Sequence, residues 1–289
     1  MQRLYDSLDY HLRYRLCTAR LYLGDFSNWT GWAYRCEWAA QRLFLEQRIA
    51  RWDGRWVGRL WVVGEQGLGD EILWASVIPE AMLRAAQVTY SCDARLVSLL
   101  ERSLPGLRCI PRDDEDDPND EFDAFIPAGD LLPMFRRRRQ DFPAKTFLRP
   151  DPQRVAQFER YRGRTGVSWL GRQGSIDPAR FEVADPLTLQ HSVGGPPEMP
   201  EGLDLKDDIE GVVALCSLLE RVVCVPSTIH HLAGAVGCAV DVIWPEVPGE
   251  VLNQVPWSHP PGKLAWYPNV TVWSTLREWK ASHAPRPQL

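Results

Sequence analysis

Seven residues, Gly64-Glu65-Gln66-Gly67-Leu68-Gly69-Asp70, separate a short apolar run from a stretch with helical spacing, and they constrain the fold more than any other segment. The run before them, Leu60-Trp61-Val62-Val63, has the length and character of a buried strand. After them, Glu71 to Ala86 carries Ile72, Ala75, Val77, Ile78, Met82 and Leu83 at helical positions. Glycines between a strand and a helix let a ligand approach the backbone and set the helix N-terminus against it. An acidic residue closing such a turn can act as a general base. A tight βα turn with Asp70 as a helix-capping aspartate is the other reading.

The alternation continues along the chain and predicts βαβ units. Val88 to Cys92 reads as a strand, Ala94 to Ser103 as a helix, Leu107 to Ile110 and Phe122 to Pro127 as further strands. The acidic stretch Asp113 to Glu121 reads as a solvated loop, with metal binding as a minor alternative. Arg136-Arg137-Arg138-Arg139 is the densest positive cluster, read either as an exposed loop face or as a docking site for an anionic partner.

Prolines and a composition shift at Phe147 to Pro152 mark a boundary, and a second series follows. It has a helix at Gln153 to Tyr161, strands at Thr165 to Leu170 and Leu187 to Gln190, and a helix at Asp208 to Glu220. Then come a strand at Arg221 to Val225, a helix at Ile229 to Gly237, a strand at Ala239 to Trp244, and a late helix at Leu276 to Ser282. Two α/β halves joined by a linker predict two Rossmann-like domains facing a cleft. Ahead of them, residues 1 to 50 read as a helical hairpin: Leu4, Leu8, Leu12, Leu16 and Ala19 recur at helical spacing, and a second run goes from Trp29 to Ile49. The expected segments are therefore 1–56 (helical), 57–150 and 151–275 (Rossmann-like), and 276–289 (helix and tail).

Composition narrows the function classes. With 33 basic and 38 acidic residues the net charge is −5, which disfavours general nucleic-acid binding. No apolar stretch approaches the roughly 20 residues needed to span a bilayer. Met1 to Arg15 is too charged for a signal-peptide core, so a cytoplasmic location is expected. The seven cysteines are scattered and without a CxxC pair, which argues against a disulfide framework or a zinc site, and no metal ligand set is assigned. Trp29, Trp32, Trp38, Trp52, Trp56 and Trp61 crowd the first quarter of the chain and read mainly as core fillers.

The second informative segment is Val225-Pro226-Ser227-Thr228-Ile229-His230-His231-Leu232-Ala233-Gly234-Ala235-Val236-Gly237. A strand ends and two hydroxyl residues stand at a helix start whose N–H groups suit a diphosphate, with a plain N-cap as the alternative. His231 either faces the phosphates or hydrogen-bonds within its domain. The small residues from Ala233 to Gly237 let this helix lie close to its sheet.

Taken together, these segments resemble a known family. Leu23-Gly24-Asp25-Phe26, Gly31-Trp32-Ala33-Tyr34 and Trp52-Asp53-Gly54 resemble the hinge between tetratricopeptide repeats and a glycosyltransferase-like domain in bacterial proteins. Gly64 to Asp70 resembles that domain's first turn, His231 to Gly237 its nucleotide-sugar helix, and Trp266-Tyr267-Pro268 its C-terminal signature. The whole is similar to the heptosyltransferases and, more remotely, to the O-linked N-acetylglucosamine transferases. The resemblance implies a GT-B fold and transfer of a sugar from a nucleotide-diphosphate sugar to an acceptor hydroxyl, with inversion and without a metal or other cofactor. It implies Asp70 as catalytic base, with Glu65, Gln66, Gly67 and Gly69 in the acceptor-side loop. On the donor side it implies Arg172 (Arg180 in reserve), Gln190, Ser227, Thr228 and His231.

Two departures stand out: Pro226 replaces an aspartate common in the family, and residues 1 to 50 hold at most one degenerate helical repeat. They keep a second reading in view, a non-catalytic GT-B-like binding or scaffold protein. The acceptor stays open among saccharide, lipid-linked sugar, protein and modified nucleic acid.

Overall fold

The computed structural model describes residues 2–35, 48–112, 121–142, 145–171, 174–190, 198–245 and 262–283. The chain divides into two compact units, Met1–Pro143 and Ala144–Leu289.

The first unit opens with helix α1 (Gln2–Tyr22) and a short 3-10 turn at Trp32–Tyr34. Strands β1 (Val57–Val63), β2 (Ala85–Cys92), β3 (Arg108–Pro111) and β4 (Ala124–Pro127) then build a four-stranded sheet in the order β3-β2-β1-β4. Every pairing in it is parallel, with Val63 opposite both Ser91 and Pro127. Parallel neighbours need crossovers, supplied by α2 (Leu68–Ala75) and α3 (Ile78–Met82) after β1 and by α4 (Val97–Ser103) after β2. Helix α5 (Leu131–Phe135) follows β4. One consequence matters for the site: the loops leaving the C-terminal ends of all these strands share one edge of the sheet.

The core of this unit is apolar and rich in tryptophan. Trp32, Trp61 and Trp74 are fully buried, and Trp32 meets Trp29 and Trp74 edge-on at 5.4 and 6.1 Å. Trp56 departs from the core-filling expectation and is 69% exposed.

Other expectations need correction. The single helix predicted from Glu71 to Ala86 is two short helices, and β2 already begins at Ala85. Pro79 gives the reason: it has no N–H for a continuing helix and its ring would strike the carbonyl one turn back, so it sits instead in the first turn of α3. Of the expected second arm, Trp29 to Ile49, residues 36–47 lie outside the described residues, and the described parts form no α-helix, only the 3-10 turn at Trp32–Tyr34. The tetra-arginine run is not one cationic face. Arg136 is 1% exposed and ion-paired with Glu80 at 2.6 Å, whereas Arg137, Arg138 and Arg139 face solvent and Arg138 pairs with Asp141. Most of the acidic stretch, 113–120, lies outside the described residues.

The second unit begins with α6 (Pro152–Gln157) and carries a six-stranded sheet. Its strands are β5 (Thr165–Ser168), β8 (Leu187–Thr188), β9 (Arg221–Cys224), β10 (Ala239–Ile243), β11 (Gly262–Lys263) and β12 (Val270–Trp273). They lie in the order β11-β12-β10-β9-β5-β8, all parallel except the edge strand β11. A separate ribbon pairs β6 (Leu170–Gly171) with β7 (Gly174–Ser175). Helix α7 (Ile209–Leu218) is buried along nearly its whole length, and α8 (Thr228–Val236) follows β9. Helix α9 (Leu276–His283) sends Leu276 and Trp279 into the core with Val167, Trp169, Val223 and Ile243.

Gly234 shows why α8 is rich in small residues. A Cβ there would come within 2.8 Å of Val270 and 2.9 Å of the Tyr267 ring, so helix and strand approach through a bare Cα. Cys17, Cys92, Cys109, Cys216, Cys224 and Cys238 are buried free thiols. Among the described residues, no helix is long and apolar enough to cross a membrane.

Candidate functional site

In the first unit, β1 delivers the chain to Gly64, whose N–H donates to the Ser91 carbonyl at 2.8 Å. A Cβ on residue 64 would sit 2.2 Å from that same oxygen, so glycine is required by contact with β2. Gln66 then takes a left-handed conformation, φ +65°, which reverses the chain, and Gly67 caps α2. Asp70, in the first turn of α2 and half-buried, accepts the Gly67 N–H at 3.2 Å. Gln66, Gly67, Gly69 and Asp70 thus form one compact turn at the sheet's C-terminal edge.

Glu65 behaves differently from its neighbours. It is fully buried, and its carboxylate accepts from Arg35 Nη2 at 2.6 Å, from Arg35 Nε at 3.1 Å and from the Gly129 N–H at 2.7 Å. Arg35 continues to Asp130 at 2.6 Å, and Arg51 pairs with the other Asp130 oxygen. Burial alone would lower the Arg35 pKa, but the charges of Glu65 and Asp130 outweigh it and raise the pKa.

A second charged cluster lies on the other side of the turn. Glu71 is fully buried and accepts the Asp93 N–H at 2.6 Å. Arg112 Nη1 lies 3.0 Å from its second oxygen, without the alignment of a hydrogen bond, while Arg112 Nη2 donates to the Gln66 carbonyl at 3.3 Å. Burial pushes the Glu71 pKa up to about 7. The Asp93 N–H and Arg112 oppose the rise, and the Asp93 and Asp70 carboxylates add to it. Glu65, Asp93, Arg112 and Asp130 follow β1, β2, β3 and β4 respectively, so one sheet edge gathers them all.

In the second unit, Ser227 caps α8 and its N–H donates to His230 Nδ1 at 3.1 Å. Its hydroxyl is buried and has no hydrogen-bond partner among the described residues. Thr228 is the first residue of the helix and half-buried. Pro226 stands one position before the cap, so proline removes none of the first-turn N–H groups. The Pro226 carbonyl would lie 2.2 Å from a Cβ at Gly171, which packs the β6 ribbon tightly on this loop.

His231 is buried and makes contacts within its own unit. It is 4% exposed, with Nδ1 3.4 Å from the Tyr267 hydroxyl and its ring against His230 at 3.9 Å. Burial, and then the His230 charge, push its pKa well below the ordinary histidine value, so it carries no charge at neutral pH. Burial takes the His230 pKa down to about 4, against a smaller upward effect of its bond to the Ser227 backbone.

Gln190 lies past β8, and its amide oxygen accepts from Ser168 Oγ at 3.1 Å and from the Leu170 N–H at 3.0 Å. That oxygen ties the end of β8 to the end of β5. Arg180 is exposed on a 3-10 turn, Pro178–Phe181. Arg172 lies outside the described residues.

The structure thus gathers Glu65, Gln66, Gly67, Gly69 and Asp70 in one unit and Ser227, Thr228 and His231 in the other. Sequence reasoning missed Arg35, Asp130, Arg112 and Glu71. For Arg112 and Asp130 the available signal was positional, a charged residue just past a strand's C-terminal end; Arg35 and Glu71 carry no such signal.

Both units are mixed α/β with parallel sheets, and this fold matches GT-B glycosyltransferase structures. The structure of E. coli ADP-heptose lipopolysaccharide heptosyltransferase II aligns with a TM-score of 0.50 and 13% identity over 74% of this chain and 90% of that one. A glycosyl transferase family 9 structure from Veillonella parvula aligns with a TM-score of 0.49 and 10% identity over 82% of this chain and 92% of that one. Identities this low speak to fold alone. Protein FlbA of Caulobacter vibrioides is 28% identical over 242 residues, covering 66% of this chain and 40% of FlbA. The chain therefore spans less than half the length of that relative. No family model matches the chain.

Proposed function

We propose that the chain is a glycosyltransferase that moves a sugar from a nucleotide-diphosphate sugar to an acceptor hydroxyl. One observation carries the reading: on a fold shared with a heptosyltransferase structure, the glycine turn presents Asp70 at a sheet edge, and the second unit sets an unpartnered buried hydroxyl, Ser227, at a helix N-terminus. In this reading the first unit serves the acceptor and the second the donor. Asp70 takes the acceptor's proton as the acceptor oxygen attacks the anomeric carbon, and the bond to the diphosphate breaks with inversion. The first-turn N–H groups of α8 and the Ser227 hydroxyl receive the diphosphate's charge. Arg172 supplies the cation, and no metal takes part in this scheme.

The proposal includes a cytoplasmic site of action, a tie to tetratricopeptide proteins through the 23–54 motifs, and an acceptor among saccharides, proteins and modified nucleic acid. A second reading, a non-catalytic binding or scaffold protein, draws on particular observations. The Gln190 oxygen is engaged within its own sheet and His231 turns to Tyr267, which leaves fewer groups for a donor.

A thermal-shift panel of ADP-, UDP- and GDP-sugars separates the two readings. The transferase reading expects one nucleotide class to raise the melting temperature and Asp70→Asn to keep that shift while losing transfer. Full activity in Asp70→Asn removes Asp70 as the base. Absence of any shift or turnover across the panel favours the binding protein.

A further inference from the structure

We infer that Arg35 is a positioning residue: through Glu65 it sets the turn that carries Asp70, which makes the N-terminal segment part of the site's machinery. The importance of Asp70 rests on the transferase reading above, whereas the clamp itself rests on geometry alone.

Two loops leave adjacent parallel strands, β1 and β4, and each carries a carboxylate into the interior, Glu65 and Asp130. Two carboxylates buried this close repel each other and depend on a cation between them. Arg35 bridges the two carboxylates, while Arg51 reaches the second Asp130 oxygen. Arg35 spends Nε and Nη2 on Glu65 and Nη1 on Asp130, and also holds the Trp32 carbonyl at 3.3 Å. Only the planar fork of arginine reaches both loops at once.

The packing around the clamp leaves no slack. A Cβ on Gly129 would fall 2.6 Å from Glu65 Oε1 and 2.9 Å from Arg35 Nε. Arg35 is itself held, because Trp32 donates Nε1–H to the Gly129 carbonyl at 2.9 Å and the guanidinium lies 5.0 Å from the Trp32 ring. From Glu65 the constraint passes through few bonds. Gln66 is already left-handed, and the next N–H, that of Gly67, grips the Asp70 carboxylate. A displacement of Glu65 therefore reaches Asp70 by a short path, through Gln66 and the Gly67 N–H.

The test pairs hydrogen–deuterium exchange with turnover of ADP-heptose, followed as ADP release in the full chain. In Arg35→Met, exchange over residues 64–70 rises about tenfold or more, while exchange in α7 of the other unit stays unchanged. Arg35→Lys gives an intermediate value, since one ammonium cannot fork. Glu65→Gln serves if Arg35→Met does not fold, and it shows the same local loosening. For ADP release, kcat falls about tenfold with KM for ADP-heptose within about twofold, because the clamp acts on the acceptor side. Unchanged exchange at 64–70 in both variants overturns the inference, as does a rise of equal size throughout the chain. Local loosening in a wild-type protein that releases no ADP supports the clamp and counts against ADP-heptose as the donor; absence of release from every nucleotide sugar of the panel counts against the transferase reading.

Discussion

Glu71→Gln isolates the cost of a carboxylate that the fold buries beside the candidate base. In the native state Glu71 is fully buried, holds the Asp93 N–H at 2.6 Å and has Arg112, itself only partly buried, 3.0 Å away. Its pKa rises from an ordinary 4.5 to about 7, chiefly through burial. The sign follows from linkage. Between those values the folded state holds a proton that the unfolded state has released, so stability falls as pH rises through the window. The full effect, carrying an acid from 4.5 to about 7, amounts to about 3 kcal/mol. Glutamine keeps an acceptor for the Asp93 N–H and does not titrate. Urea unfolding of both proteins, followed by tryptophan fluorescence from about pH 4.5 to pH 8, should therefore show the variant gaining on the wild type by about 3 kcal/mol, with a plateau above pH 7. A difference that stays flat with pH refutes the burial argument. A difference that shrinks as pH rises means the ion pair with Arg112 outweighs desolvation.

Further outcomes follow from contacts that leave no room. Gly64→Ala should cost about 3 kcal/mol or more, because its Cβ would meet the Ser91 backbone oxygen at 2.2 Å and β1 and β2 would have to separate; an unchanged urea midpoint contradicts this. Gly234→Ala should cost about 1–3 kcal/mol by lifting α8 from Tyr267 and Val270, read as a lower unfolding midpoint, and retained stability would show that the helix can shift freely. Asp70→Asn should leave the melting temperature without ligand within about 1 °C, since asparagine keeps an acceptor for the Gly67 N–H, while transfer falls about a thousandfold or more; a large loss of stability would make Asp70 a structural cap instead.

Much of the architecture was legible because it is written in short windows. The apolar run at 60–63, the glycine turn after it and the helix start at Ser227 and Thr228 each follow from sterics and burial among residues a few places apart. Even the break at Pro79 was available locally, although the apolar spacing on either side masks it. Arg136 was harder: its neighbours Arg137 to Arg139 carry the same charge, and only the position of Glu80 draws one of the four inward.

The sequence by itself determined the succession of strands and helices, the glycine turn, and the pairing of two α/β series, since these depend on backbone preferences and on the period of apolar side chains. Only the tertiary structure decided the strand order, which acids are buried and which cations meet them. Arg35 lies 30 residues from Glu65 and 95 from Asp130, and no local pattern links them. Their pairing arises where parallel strands bring their C-terminal ends to one edge, and burial there leaves each charge dependent on a partner. Gly64 to Asp70 is therefore a turn by sequence, and by structure a turn clamped on one side by Arg35 through Glu65 and on the other by Arg112 and Glu71.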